Sequence, residues 1–204
     1  MANFDLEYDL IEKGYTAILG LDECAKGNLA GPIVASAVLI DETLVPVFEQ
    51  FVDDSKKMSP KKRLEVCDVL QVTCECKLGI ATNDEIDKLN ILEATKLAMS
   101  RAAAQFEDVD YLLIDGNMKF EGTFGDVPYT SVVKGDAKSI SIAAASILAK
   151  TYHTKLMEAY DKEYPLYGFG QHKGYGTKKH REAIIKFGVL PIHRKTFKRV
   201  REFV

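Results

Sequence analysis

The chain has no tryptophan and only four cysteines in 204 residues. Cys74 and Cys76 lie two apart, which is neither an ordinary disulfide spacing nor a recognised zinc motif. Cys24 and Cys67 have no partner that the sequence identifies, so a stapled or zinc-ribbon architecture is not expected and the thiols read as reduced and structural. No apolar run approaches the length of a membrane span, and the acidic start Met1-Ala2-Asn3-Phe4-Asp5-Leu6-Glu7 lacks the basic and apolar regions of a signal peptide. A cytoplasmic setting is the expectation. Internal repeats, low-complexity segments and linker-like stretches are absent too. Basic charge is scarce early in the chain: residues 1–54 carry 11 acids against two basic residues, whereas residues 171–204 carry ten Lys or Arg against two acids. The formal net charge of −3 hides this asymmetry. A basic tail beside an acidic cluster suits a polyanion held near a metal site, although a solvated basic helix has the same composition.

What is present reads as one fairly large α/β domain with a mixed sheet, divided as 1–164 and a basic helical extension over 165–204. Residues 15–22 and 32–40 are apolar runs expected as buried strands, separated by a turn. Ser59 and Pro60 open a helix through about Gln71. Residues 72–80 alternate, with Val72, Cys74, Cys76, Leu78 and Ile80 on one face of a half-exposed strand. Residues 83–106 are expected as two helices broken near Asn90, the second burying Leu92, Thr95, Met99, Ala102 and Phe106. Strands follow at 109–114 and 129–133. Asp136 is expected to cap a long helix over about 137–161, whose buried stripe includes Ile140, Ala143, Ala144, Ile147, Leu148 and Thr151. A further helix near 177–187 ends at Gly188. Residues 1–13 are expected as a loosely attached end without a role.

Four acids carry the chemistry. Asp22 and Glu23 end a strongly apolar run, Asp115 ends another, and Asp136 follows Lys134-Gly135. Carboxylates are rarely buried unless paired or holding a cation. In sheets of this kind ligands gather at the carboxyl ends of the strands, so Asp22, Asp115 and Asp136 can converge. Oxygen donors without nearby His or Cys spacing point to Mg²⁺ or Mn²⁺, not zinc, and two such ions can hydrolyse a phosphodiester. Singly, each acid favours a structural reading as a turn or cap residue; their joint placement favours a metal site.

The motifs in order resemble those of the ribonuclease HII family. They are Gly20-Leu21-Asp22-Glu23, Leu29-Ala30-Gly31-Pro32, Asp54-Ser55-Lys56-Lys57-Met58-Ser59, Ile114-Asp115-Gly116-Asn117 and Val133-Lys134-Gly135-Asp136. Ala144-Ala145-Ser146-Ile147-Leu148-Ala149-Lys150, His172-Lys173-Gly174-Tyr175-Gly176-Thr177 and Pro191-Ile192-His193-Arg194 follow. The resemblance implies a ribonuclease H-like fold, a mixed central sheet flanked by helices, with a C-terminal helical extension that clamps phosphates. It implies metal-dependent hydrolysis of the RNA strand of RNA–DNA hybrids, and nicking 5′ of ribonucleotides embedded in DNA. Asp22, Glu23, Asp115 and Asp136 match the family's metal-binding acids. Lys56, Lys134 and Lys150 match motifs near nucleic acid, and Tyr152 matches a position where a tyrosine meets the deoxyribose. A monomer is implied, with any replication-clamp partner unknown.

Two departures bear on specificity. The family's usual Gly-Arg-Gly is Ala25-Lys26-Gly27 here, and Tyr152-His153-Thr154 replaces a tyrosine followed by Arg-Asp. If position 25 needs positive φ, alanine costs roughly 1–2 kcal/mol there. Lys26 keeps charge without arginine's bidentate fork. Single-ribonucleotide nicking is therefore expected to be weak relative to hybrid cleavage. Rival readings are a ribonuclease HIII-like hybrid nuclease, and a hybrid-binding protein without catalysis.

Overall fold

The computed structural model describes residues 2–49 and 58–204. Lys56 and the rest of Asp54–Lys57 lie outside the described residues. In chain order the elements are α1 (Asp5–Ile11), β1 (Ile18–Cys24), β2 (Ile33–Leu39), α2 (Val45–Glu49), α3 (Pro60–Thr73), β3 (Glu75–Ala81), α4 (Asn83–Leu89) and α5 (Ile91–Ala103). There follow β4 (Tyr111–Asp115), β5 (Tyr129–Val132), α6 (Ile140–Glu163), α7 (Phe169–His172) and α8 (Lys178–Phe187).

The strands form one mixed sheet in the order β3-β2-β1-β4-β5. β2 runs antiparallel to β1 and β3, while β1, β4 and β5 are parallel to one another. The central strands are almost unbroken apolar runs because both faces are covered. On one face Ala143, Ala144, Ile147 and Leu148 of α6 pack with Val38 and residues of α3. On the other, Ala94, Ala98, Met99 and Ala102 of α5 pack with Leu19, Leu21, Ile33 and Ala35. Gly20 sets the first contact: a Cβ there would stand 2.1 Å from the Ser141 carbonyl carbon. Without a side chain, the first turn of α6 lies directly on β1, two residues before Asp22.

Local signals account for most boundaries. Ser59 accepts the Lys62 N–H and caps α3, and Thr177 accepts the His180 N–H and caps α8. The expected break at Asn90 is a left-handed residue (φ 76) that ends α4 and caps α5 by accepting from Leu92 and Glu93.

Four expectations are corrected. Asp136 is not the cap of the long helix: it sits in a 3₁₀ turn, Gly135–Ala137, and Ser139 caps α6 by accepting the Ile142 N–H. Val72 belongs to the last turn of α3 and is 87% exposed, because the helix outruns the alternating pattern. Leu92 is likewise exposed, while Ala94 and Ala98 take the buried face. Residues 5–11 are not a loose end. They form α1, with Phe4 and Leu10 buried and Glu7 accepting from the Ser139 and Ser141 hydroxyls at 2.5 Å each.

The tail beyond α6 has its own apolar cluster, in which Tyr167, Phe169, Ile184, Ile192 and Val200 meet Met157 of α6 and Leu29 and Ala30 of the loop after β1. Isolated bridges pair Asn28 with Tyr175 and Ala30 with His193. The loop that follows Asp22-Glu23 is thus held from the tail.

Candidate active site

β1 and β4 are parallel neighbours, with Leu21 paired to Ile114, so Asp22 and Asp115 leave the sheet side by side. Asp22, Glu23 and Asp115 line one cavity of about 470 Å³. Asp22 is buried; its carboxylate accepts the Glu23 N–H at 2.7 Å and is hydrogen-bonded to Ser146 of α6. Burial, then repulsion from Glu23 and Asp115, pushes its pKa up to about 8. Asp115 accepts the Gly135 N–H at 2.7 Å and the Asp136 N–H at 3.3 Å, which fixes the Lys134–Asp136 turn against the end of β4.

Asp136 does not line the cavity. It is buried, 4.0 Å from the Lys150 ammonium, which does line the cavity and also donates to Ser146 at 2.6 Å. Lys26 folds back onto the Glu23 carboxylate as an ion pair and reaches the Met118 sulfur at 3.3 Å. Ala25 has φ 74, the left-handed conformation in which a methyl is disfavoured. Gly27 also lines the cavity. Lys134 is exposed and left-handed (φ 57), and Tyr152 is a partly exposed residue of α6; neither lines the cavity.

Three residues that sequence reasoning left without a role belong here. Tyr175 and Arg63 line the cavity, and Tyr175 is 54% exposed. Arg194 is fully buried, and its guanidinium donates to the Ala25, Lys26, Gly31 and Pro32 carbonyls at 2.9–3.2 Å. Burial lowers its pKa to about 10. It grips the Ala25–Pro32 loop from the tail; the sequence marks it only as the end of a Pro-Ile-His-Arg motif, with no sign that it is buried.

Among the described residues no three His, Cys, Asp or Glu side chains are arranged to hold a metal ion as they stand. Here Lys26 pairs with Glu23, and the Asp22 and Asp115 carboxylates accept from backbone N–H groups. The donor chemistry nonetheless fits a hard divalent cation. Three carboxylates share one cavity without imidazole or paired thiolate, and their mutual repulsion is what a cation relieves.

A mixed sheet delivering acidic residues from two parallel central strands to a cation-rimmed cavity, with a long helix across one face, defines a nuclease of ribonuclease H-like fold. The ribonuclease HII family model matches residues 19–200. The chain belongs to the ribonuclease HII family, whose members are metal-dependent endoribonucleases. A ribonuclease HII of Acholeplasma laidlawii is 44% identical over 196 residues, covering 96% of this chain and 94% of the relative. In fold, the chain is similar to ribonuclease H2 of Pyrococcus horikoshii OT3, with TM-score 0.79 and 23% identity over 92% of this chain and 97% of that one. It is also similar to Bst-RNase HIII in complex with Mn²⁺, with TM-score 0.76 and 17% identity over 92% and 69% of the two chains.

Proposed function

We propose that the cavity binds one strand of a nucleic-acid duplex and cuts it at a ribonucleotide, leaving 3′-hydroxyl and 5′-phosphate ends. The observation that carries this reading is the meeting of Asp22, Glu23 and Asp115 in a cavity whose rim supplies Lys26, Arg63, Lys150, Lys173 and Tyr175. Acids alone would repel a phosphodiester; acids that share a cation, beside ammonium and guanidinium groups, attract it.

Asp22, Glu23, Asp115 and Asp136 are assigned as the residues that would hold the metal. Mg²⁺ or Mn²⁺ held there would activate the attacking water and stabilise the leaving oxygen. The peptide N–H groups of Gly135 and Asp136 keep Asp115 aimed, and Lys150 offsets the negative charge of Asp136. A cation held by Glu23 would compete with its ion pair to Lys26 and leave that ammonium for a phosphate. Lys56 and Lys134 are assigned as phosphate contacts. An exposed aromatic beside the cavity suits a sugar face, and Tyr175 takes that role ahead of Tyr152, which stands off the lining. The basic 165–204 extension acts as the phosphate clamp. We place the protein in the cytoplasm, where its four free thiols stay reduced.

The test is Asp115→Asn. Cleavage of a hybrid should fall at least about a thousandfold, with hybrid affinity changed less than about threefold. Metal-dependent turnover near the parent's in that variant would overturn the assignment.

A further inference from the structure

Tyr175 is an exposed residue whose own backbone N–H and carbonyl are both engaged. Its N–H donates to the His172 carbonyl at 2.9 Å, and its carbonyl accepts from the Thr177 N–H at 2.8 Å and His180 Nδ1 at 3.0 Å. One residue earlier, the Gly174 N–H donates to His172 Nδ1 at 3.2 Å, and the Gly174 carbonyl accepts the Leu29 N–H at 2.8 Å. The Lys173 carbonyl accepts from the Asn28 side chain at 2.6 Å. Lys173 and Gly174 are both left-handed, and a Cβ at Gly174 would stand 2.7 Å from the Ala30 carbonyl oxygen.

These bonds fix the tautomer of each ring. His172 accepts at Nδ1, so its proton is on Nε2, which donates to the Tyr167 carbonyl at 2.8 Å. His180 donates from Nδ1, which leaves its Nε2 to accept from His193 Nε2 at 3.1 Å. His193 in turn accepts the Leu190 N–H at Nδ1, at 2.8 Å. All six ring nitrogens are used, all three rings are neutral, and His172 stacks on His180 at 4.3 Å. None of the three lines the cavity. A core position that needs only volume is filled by a hydrocarbon side chain; three buried imidazoles in one chain of bonds answer a need for a donor and an acceptor at fixed points.

We propose that His172 and His180, with His193 orienting His180, are positioning residues for substrate recognition: the His172 ring accepts the Gly174 N–H, the His180 ring donates to the Tyr175 carbonyl, and together they hold the backbone that presents the Tyr175 ring to the bound duplex. This rests on the reading of the cavity as the nuclease site. A backbone held in place loses little freedom when substrate arrives, so loosening it should weaken binding and leave the chemical step intact.

The experiment measures kcat and KM on an RNA–DNA hybrid for His180→Leu and His180→Asn, alone and with Tyr175→Ala. Thermal unfolding of each variant checks that it is folded. His180→Leu should raise KM about tenfold with kcat within about twofold. His180→Asn keeps an N–H near the Nδ1 position and should return KM to within about threefold of the parent. With Tyr175→Ala already present, His180→Leu should change KM less than about twofold, because the two act through one contact. His172→Leu against His172→Asn, which retains the acceptor for Gly174, gives the same comparison where a His180 variant fails to fold. Equal KM values for the leucine and asparagine variants, or a full additional effect in the Tyr175→Ala background, would overturn the proposal. A parent that cleaves but whose KM is untouched by Tyr175→Ala would overturn it while leaving the nuclease reading in place. A parent that cleaves neither hybrid nor ribonucleotide-containing duplex would bring down both.

Discussion

Ala25 concentrates the chain's own variation at the residue scale. Its φ of 74 is the conformation for which glycine is the unstrained choice, and its carbonyl is held by Arg194 at 2.9 Å, so the loop cannot relax away from it. Ala25→Gly should therefore stabilise the fold by about 1 kcal/mol, read as a higher urea midpoint at unchanged slope; a loss of stability would contradict the strain argument. Lys26 beside it is spent on Glu23, where an arginine's planar fork could serve a phosphate instead. The double change Ala25→Gly with Lys26→Arg should raise single-ribonucleotide nicking relative to hybrid cleavage.

At the scale of elements, α1 is tied to the start of α6 more firmly than its sequence announces. Glu7 is buried and accepts from the Ser139 and Ser141 hydroxyls and the Ser141 N–H, and Asn3 exchanges backbone hydrogen bonds with Lys138 and Ile140. Burial raises the proton affinity of Glu7. Glu7→Ala leaves those donors unmet and should cost about 2 kcal/mol in denaturant unfolding; a change under about 0.5 kcal/mol would show that α1 is dispensable. The sequence hid this because an acidic, short, seven-residue helix has no signal apart from the partner it meets 130 residues later. Contacts of that kind also explain the other misses. Asp136 and Ser139 are both good caps in isolation, and the Asp115 carboxylate, by binding the Gly135 and Asp136 N–H groups, decides between them. Val72 fits the strand's alternation, yet α3 continues through Thr73. By contrast Ser59-Pro60, Asn90 and Thr177 carry their own capping chemistry and were legible locally. So were Asp22, Glu23 and Asp115, because carboxylates at the ends of apolar runs are conspicuous. Tyr175 and Arg194 were not: an exposed ring and a buried arginine look ordinary until the tail is seen folded onto the loop after β1.

Over the whole molecule, the tail and the catalytic sheet are joined through buried imidazoles and one buried guanidinium. Burial depresses the pKa of His153, His180 and His193 from the usual 6.5 to about 4. A group depressed on folding contributes stability that is full above the unfolded value, near pH 6.5, and lost as pH falls toward 4; the ceiling is roughly 3 kcal/mol per ring. Asp22 and Glu7, raised by burial, work in the opposite sense. The histidine share is therefore best read from the rings themselves. Their resonances should hold neutral-form positions down to about pH 5, and rings titrating near pH 6.5 would contradict the packing described here. No helix among the described residues is long and apolar enough to cross a membrane. The cavity itself is acidic under a basic rim.

The most direct test of that arrangement is strand cleavage in Mg²⁺ and in Mn²⁺, with Asp22→Asn as control. An all-RNA strand paired with DNA is compared with a DNA duplex carrying one ribonucleotide. Metal-dependent cutting of the hybrid and slower nicking 5′ of the single ribonucleotide are expected, with neither in Asp22→Asn. Tight hybrid binding with no cleavage in either metal, or undiminished cleavage by Asp22→Asn, would contradict it.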